Sequence, residues 1–327
     1  MSIPPHGRPA DEILAQLDEY RTADVDLHGG RAFTLGYVAG DDVHAIATEA
    51  LARFHSYNAL NPVAFPSLAR IQSEVVTMTA GLLHGGETAA GFLTSGGTES
   101  LLLAVKAARN RGRERGIDAP EMVVPTSGHA AFTKGSEYFG VKLHRIPVGE
   151  DYRADVAAMA AAMNDNTVLV VASAPQYPQG VIDPVEEIAA LAAERDINCH
   201  VDACMGGITL PYLRRLGYPI PPFDFEVPGV TSISVDLHKY GYTAKGASVL
   251  LHRDRKLRKY QTFTTDAWLG GMYASSGILG TKSGGPMAAA WAVMQYLVDH
   301  GYLRLSGDGG LALEEVLAGL RLTHGVR

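Results

Sequence analysis

Lys239 stands just past an apolar run, Ser232 to Asp236, in the segment Leu237-His238-Lys239-Tyr240-Gly241. A lysine seldom enters such surroundings without a partner. Partial desolvation is expected to lower its pKa toward the neutral amine, the form that condenses with a carbonyl. A second apolar run ends in His200-Val201-Asp202-Ala203-Cys204. There the Asp202 carboxylate can hold a protonated ring nitrogen while the small Ala203 lets a flat ring lie against the chain. The same aspartate could instead cap the next turn. Thr94, Ser95, Gly96, Gly97, Thr98 and Glu99 follow a short apolar stretch and open a helical pattern. Glycines let an anion approach the backbone, and the helix start with the Thr98 hydroxyl supplies donors for a phosphate. Ordinary helix capping uses the same residue types. His129 lies beyond the strand-like Met122 to Val124 and the turn Pro125 to Gly128. Its imidazole could stack on a ring and pass protons near neutrality, although a lone histidine is more often structural.

An amine nucleophile, an acid for a ring nitrogen and a phosphate cradle are the three demands of pyridoxal 5′-phosphate (PLP), which takes up electrons from a bond broken at an amino-bearing carbon. Competing chemistries lack their signatures: the sequence has no Gly-x-Ser-x-Gly elbow, Walker loop or His-Glu-x-x-His helix. No metal ligand set is assigned. Tyr177, in Ser-Ala-Pro-Gln-Tyr-Pro-Gln-Gly, fits a packed aromatic of a proline-rich turn at least as well as a substrate contact, and stays outside the catalytic set.

The elements that must position these residues alternate. Met122 to Val124, Leu143 to Val148, Thr167 to Ala172, Asn198 to Asp202 and Ser232 to Asp236 read as strands. Thr98 to Arg115, Ala154 to Met163 and Pro184 to Arg195 carry helical spacing, the last with Asp183 as N-cap and Pro184 at its first position. The implied fold class is α/β, a mostly parallel sheet covered on both faces. Residues 1–72 read as an N-terminal arm with helices near Ile13 to Tyr20 and Asp42 to His55 and a turn at Gly29 and Gly30. Residues 73–285 read as the large domain. A helix from Pro286 to Leu297 and a turn-forming run, Gly307-Asp308-Gly309-Gly310, lie in residues 286–327, read as the helical start of an incomplete C-terminal domain. The chain of 327 residues is 46% hydrophobic with a formal charge of −7, which gives no electrostatic reason to expect nucleic acid. Two cysteines and the lack of a long apolar run point to a cytoplasmic protein without a membrane span.

Read in order, TSGGTES, HAAFTKGSEYFG, NTVLVVASAPQYPQGVIDPVEEIA, HVDACMGGITLP and VPGVTSISVDLHKYGYTAKGASVLL strongly resemble the sphingosine-1-phosphate lyase family of the group II decarboxylase-type PLP enzymes, over about residues 30–300. The resemblance implies a fold-type I homodimer with a seven-stranded central sheet. Lys239 would carry the cofactor, Asp202 pair with its ring nitrogen and His129 stack on the ring. Gly97, Thr98 and His238 would contact its phosphate, and Thr281, in Gly280-Thr281-Lys282, would reach the phosphate of the other subunit. Tyr37 and Lys245 match the family's contacts to a substrate phosphate. Two positions depart: Asn61 stands where the family has a histidine, and Thr281-Lys282 replaces Ser-Arg. The family's C-terminal domain, roughly a hundred residues, exceeds what remains after the last helical pattern, so a truncated small domain is expected. The implied activities are aldehyde-lyase cleavage of a 2-amino-3-hydroxy substrate, with or without a phosphate, and amino-acid decarboxylation; a non-catalytic fragment is the third reading.

Overall fold

In the computed structural model, residues 2–27, 32 and 34–324 are described, and the chain divides into two compact units, residues 1–38 and 39–327. Among the described residues the first holds one helix, α1 (Ala10–Arg21). Its Ile13, Leu14, Leu17 and Tyr20 follow helical spacing and are all exposed. The turn expected at Gly29 and Gly30 lies outside the described residues.

The second unit opens with α2 (Asp41–Phe54) and α3 (Pro66–Leu82), which begins with proline at its first position, where a missing N–H costs nothing. Helix α3 runs through residue 72. Then follow β1 (Ala90–Thr94), α4 (Gly97–Glu114), β2 (Glu121–Pro125), α5 (Ala131–Phe139), β3 (Lys142–Ile146), α6 (Val156–Ala162), β4 (Thr167–Ser173), α7 (Val185–Glu194), β5 (Asn198–Asp202), α8 (Thr209–Arg215), β6 (Val230–Val235) and β7 (Ser248–His252). These seven strands form one sheet in the order β1-β7-β6-β5-β4-β2-β3. Five are parallel; β7 runs antiparallel to β6 and to β1. The expected α/β class and mostly parallel seven-stranded sheet are observed.

Side-chain alternation divides the core. Val123, Val170 and Val201 pack in a cluster with residues of α3, α7 and α10 (Gly285–His324), whereas Met122, Val124, Leu169 and Val171 pack on Leu101, Val105 and Phe132 of α4 and α5. Both faces are apolar because helices cover both. A short helix, α9 (Arg255–Arg258), leads to a hairpin of β8 (Phe263–Thr265) and β9 (Tyr273–Ser275).

Three local expectations need correction. Asp183 does not cap α7; its buried carboxylate accepts from Ala154 N–H at 2.9 Å and Ser173 N–H at 2.8 Å, so it stitches the end of β4 to the approach of α6. Strand β3 stops at Ile146, and Val148 keeps only an isolated bridge to Ala154. The Gly307–Gly310 run is helical rather than a turn: α10 kinks at Val298, where φ is 46°, and continues to His324. Only Gly310 serves a close approach. A Cβ at Gly310 would stand 2.5 Å from the Tyr218 hydroxyl, and one at Gly307 3.5 Å from Leu216. Buried Tyr302 anchors the same stretch, donating to Gly241 O at 3.2 Å.

Candidate active site

Strand direction brings the sequence candidates of the second unit to one edge of the sheet. The C-terminal ends of β1, β2, β5 and β6 share that edge, and they lead respectively into the Gly96-Gly97 segment, His129, Asp202 with Ala203, and Asp236 to Lys239. In open α/β sheets this is the edge at which ligands bind. Lys245 lies on the same edge, just before β7.

The cradle is built from backbone. Gly96, with φ at 154°, adopts a conformation that disfavours side chains, and helix α4 starts at Gly97. First-turn N–H groups have no acceptor within their own helix, so they are free for an anion. Thr98 is exposed on that turn. Glu99 organises the approach: one carboxylate oxygen accepts from Ser95 N–H and Ser95 hydroxyl, each at 2.7 Å, and the other accepts from Ile278 N–H at 2.7 Å. The His238 ring closes one side, since a Cβ on Gly96 would meet its Cε1 at 3.4 Å. Its Nδ1 accepts from Ala247 N–H at 3.2 Å, which leaves Nε2 to carry the proton, and burial holds its pKa below the ordinary value.

Asp202 is 8% exposed; its Oδ1 accepts from Cys204 N–H at 3.1 Å and faces the Ser234 hydroxyl at 3.4 Å. The turn-capping contact weighed from sequence is thus present, and the second carboxylate oxygen is left for another donor. Ala203 is fully buried behind it. Exposed His129 accepts from Ala131 N–H at its Nδ1, 3.1 Å away, so Nε2 bears the proton.

Lys239 departs from expectation in one respect. Burial does act to lower its pKa, but the negative charge of Asp236, with lesser help from Cys204 and Asp202, outweighs burial and the net direction is upward. Its Nζ lies 2.9 Å from Asp236 Oδ2. The sequence reading missed Asp236, although a buried lysine that demands a partner, with a carboxylate three residues earlier, was a usable signal. Glu99 was read only as part of the cradle segment. Lys245 donates to His238 O at 3.2 Å, and burial together with the neighbouring Lys239 charge pushes its pKa down.

Residues 55–61 and 280–284 lie side by side: Asn58 bridges Ser283, and Ala59 N–H donates to Lys282 O at 2.9 Å. Asn61 is exposed and caps its own turn through Ala64 N–H. Thr281 is exposed, while the Lys282 ammonium turns inward to Leu93 O at 2.7 Å and lies 4.4 Å over the Phe92 ring. Tyr37 belongs to the N-terminal unit, where it is half-buried. Among the described residues His84, Asp224 and Glu226 converge closely enough to suit a metal ion, but Asp224 already accepts from His84 Nδ1 at 2.9 Å and from Glu226 N–H at 2.8 Å.

Residues 3–276 match the family model described as the pyridoxal-dependent decarboxylase conserved domain. The chain belongs to the pyridoxal-dependent decarboxylase family. PLP is the cofactor of this family, and the edge fits it on structural grounds: a side-chain-free cradle at a helix start, a lysine beside it, and a buried oxygen, Asp236 Oδ1, with no hydrogen-bond partner among the described residues. Within the family, the chain is 44% identical over 303 residues to sphingosine-1-phosphate lyase 1 of Rattus norvegicus, 92% of this chain and 53% of that protein. It therefore spans about half the length of that relative. A probable L-aspartate decarboxylase of Pyrococcus furiosus is 33% identical, over 93% of this chain and 80% of that one. The solved sphingosine-1-phosphate lyase of Burkholderia pseudomallei superimposes with a TM-score of 0.90 at 41% identity, covering 94% of this chain and 73% of that one. No helix among the described residues is long and apolar enough to cross a membrane.

Proposed function

We propose that this chain carries the cofactor site of a PLP-dependent carbon–carbon lyase that cleaves a 2-amino-3-hydroxy substrate to an aldehyde. The observation that carries the reading is the placing of Lys239, Asp202, His129 and the Gly97 cradle on one sheet edge, in a chain 44% identical to a sphingosine-1-phosphate lyase. PLP, when bound, supplies the sink for the electrons of the broken bond. Lys239 would hold it covalently and supply the amine that the substrate's own amine replaces. The Asp202 carboxylate keeps the ring nitrogen protonated. Gly97, Thr98 and His238 would hold the phosphate, Ala203 would leave room for the flat ring, and His129, with its proton on Nε2, would stack on the ring and move protons at the substrate carbon.

Tyr37 and Lys245 are assigned to a phosphate on the substrate; Asn61, lacking a cationic side chain, weakens that grip, so the substrate class includes unphosphorylated amino alcohols. Thr281 is assigned to the cofactor phosphate of a second copy in a homodimer. The hairpin that precedes it supports this, since Trp268, Leu269 and Met272 expose apolar surface of the kind that partners cover. The two free, buried cysteines suit a cytoplasmic location.

Decarboxylation is the second reading, favoured by the likeness to the Pyrococcus protein. Two measurements test the proposal. Purified protein with added PLP should give a borohydride-reducible absorbance band that Lys239→Ala abolishes, and amino alcohols should release aldehyde. Carbon dioxide from amino acids without aldehyde would shift the assignment to a decarboxylase. A folded wild-type protein with no band would overturn both.

A further inference from the structure

Three acidic or thiol groups and two lysines crowd the end of β5 and β6, and their hydrogen bonding is unequal. Asp202 spends one oxygen on Cys204 N–H and the Ser234 hydroxyl. The Cys204 thiol donates to Ser234 at 3.3 Å. Asp236, 3% exposed, has Oδ2 at 2.9 Å from Lys239 Nζ and 3.7 Å from His238 Nε2, while its Oδ1 has no partner among the described residues. Lys245 approaches from the start of β7, bonded to His238 O. The carboxylate is closed in on the Gly97 side. Gly97 packs so tightly on it that a Cβ there would come within 2.6 and 2.8 Å of its two oxygens, and the turn is closed by Lys239 N–H donating to Asp236 O at 3.2 Å.

We infer that Asp236 is a positioning residue for Lys239: it holds the lysine as an ammonium beside the cradle whenever Nζ is not bonded to the cofactor, and so sets the pH at which that nitrogen becomes a nucleophile. The assignment rests on the function proposed above and divides the two buried carboxylates between them. Asp202, one oxygen already bonded to the backbone, serves the ring. Asp236 serves the lysine, which cannot drift from the cradle when displaced. Buried without a counter-charge, the lysine would lose its proton far more readily.

The test uses cofactor-free full-length protein and an amine-acylating reagent, with the labelling of Lys239 followed against pH by peptide mass spectrometry and exposed Lys256 as internal reference. In wild type the midpoint for Lys239 should lie above that for Lys256; steric shielding alone would lower the rate without moving the midpoint. In Asp236→Asn, near-identical in shape, the midpoint should fall by at least about one unit, so that Lys239 labels at least about tenfold faster at about pH 8. If the variant does not fold, the wild-type midpoint decides alone. A wild-type midpoint at or below that of Lys256, or an unchanged profile in the folded variant, overturns the assignment. Should the PLP band persist in that case, the proposed function survives and only the role of Asp236 falls.

Discussion

Two acidic clusters sit at opposite ends of the same parallel sheet and are built on opposite principles. At the N-terminal end of β2, Glu121 is enclosed by donors: Asn164 Nδ2 at 2.8 Å and His144 Nε2 at 2.6 Å reach one oxygen, and Lys142 Nζ at 3.1 Å reaches the other. The Asn164 hydrogen bond leads, with Lys142 and His144 behind it, in holding its pKa down at about 2 against the opposing effect of burial. At the C-terminal end, Asp236 is just as buried, yet only one of its oxygens meets a lysine, whose proton it retains, and the other has no donor among the described residues. A saturated carboxylate stabilises and has nothing left to offer a ligand. An unsaturated one next to a glycine cradle costs folding energy and is retained where chemistry needs it.

The largest effect should come from filling the cradle. Gly97→Val places carbon within 2.6 Å of the Asp236 carboxylate and 3.0 Å of the Cys204 sulfur, both buried just past strand ends. Overpacking of this kind costs about 1–3 kcal/mol. Urea unfolding should record that loss, and the PLP absorbance band should disappear with the anion site. A variant that unfolds at the wild-type urea concentration and keeps its band would break the claim that this end of the sheet is tight around its lysine.

How far the sequence revealed this contrast depends on the range of each interaction. Lys239, Asp202 and the glycine pair were legible because each punctuates an apolar strand and because ordered motifs tie them together. The sheet was legible because strands buried on both faces read as continuous apolar runs. Asp236 was within reach, three residues from the lysine, but strand periodicity presented it as the last residue of Ser232 to Asp236 and not as a partner. The Glu121 cluster was out of reach: Lys142, His144 and Asn164 meet it only after β3 and the approach to β4 are registered beside β2. Gly307 to Gly310 misled for a related reason, since a glycine such as Gly310, needed for close contact with Tyr218, looks, in sequence, like one needed for a turn.

Glu99 offers an intermediate test, a saturated carboxylate on the functional edge. In Glu99→Gln an amide NH2 replaces an acceptor facing Ser95 or Ile278 donors, and a buried donor left unmet costs about 1–3 kcal/mol. Part of that loss should be local, because Gln261 and Thr262 still hold Ser276. Limited proteolysis should therefore cut more readily within residues 276–282, and PLP affinity should fall without abolition of the band. Unchanged cleavage would mean that the loop is held independently of the cradle.

The effect that separates the two ends most cleanly lies in the pH dependence of stability. Glu121 is depressed from 4.5 to about 2, so its contribution is complete above the higher value and is lost as pH falls through the lower one. Lys239 is raised from 10.5, so its contribution is complete below that value and is lost as pH climbs past its folded pKa. Glu121→Gln should thus destabilise by about 1–3 kcal/mol at neutral pH, where charged hydrogen bonds are lost, and the gap to wild type should close between pH 4.5 and about 2. Asp236→Asn should shift the alkaline limb, which Glu121→Gln should leave unchanged. Urea midpoints measured across both limbs would reveal the pattern. If Glu121→Gln also altered the alkaline limb, the saturated and unsaturated clusters would not be the independent devices that their opposite positions on the sheet imply.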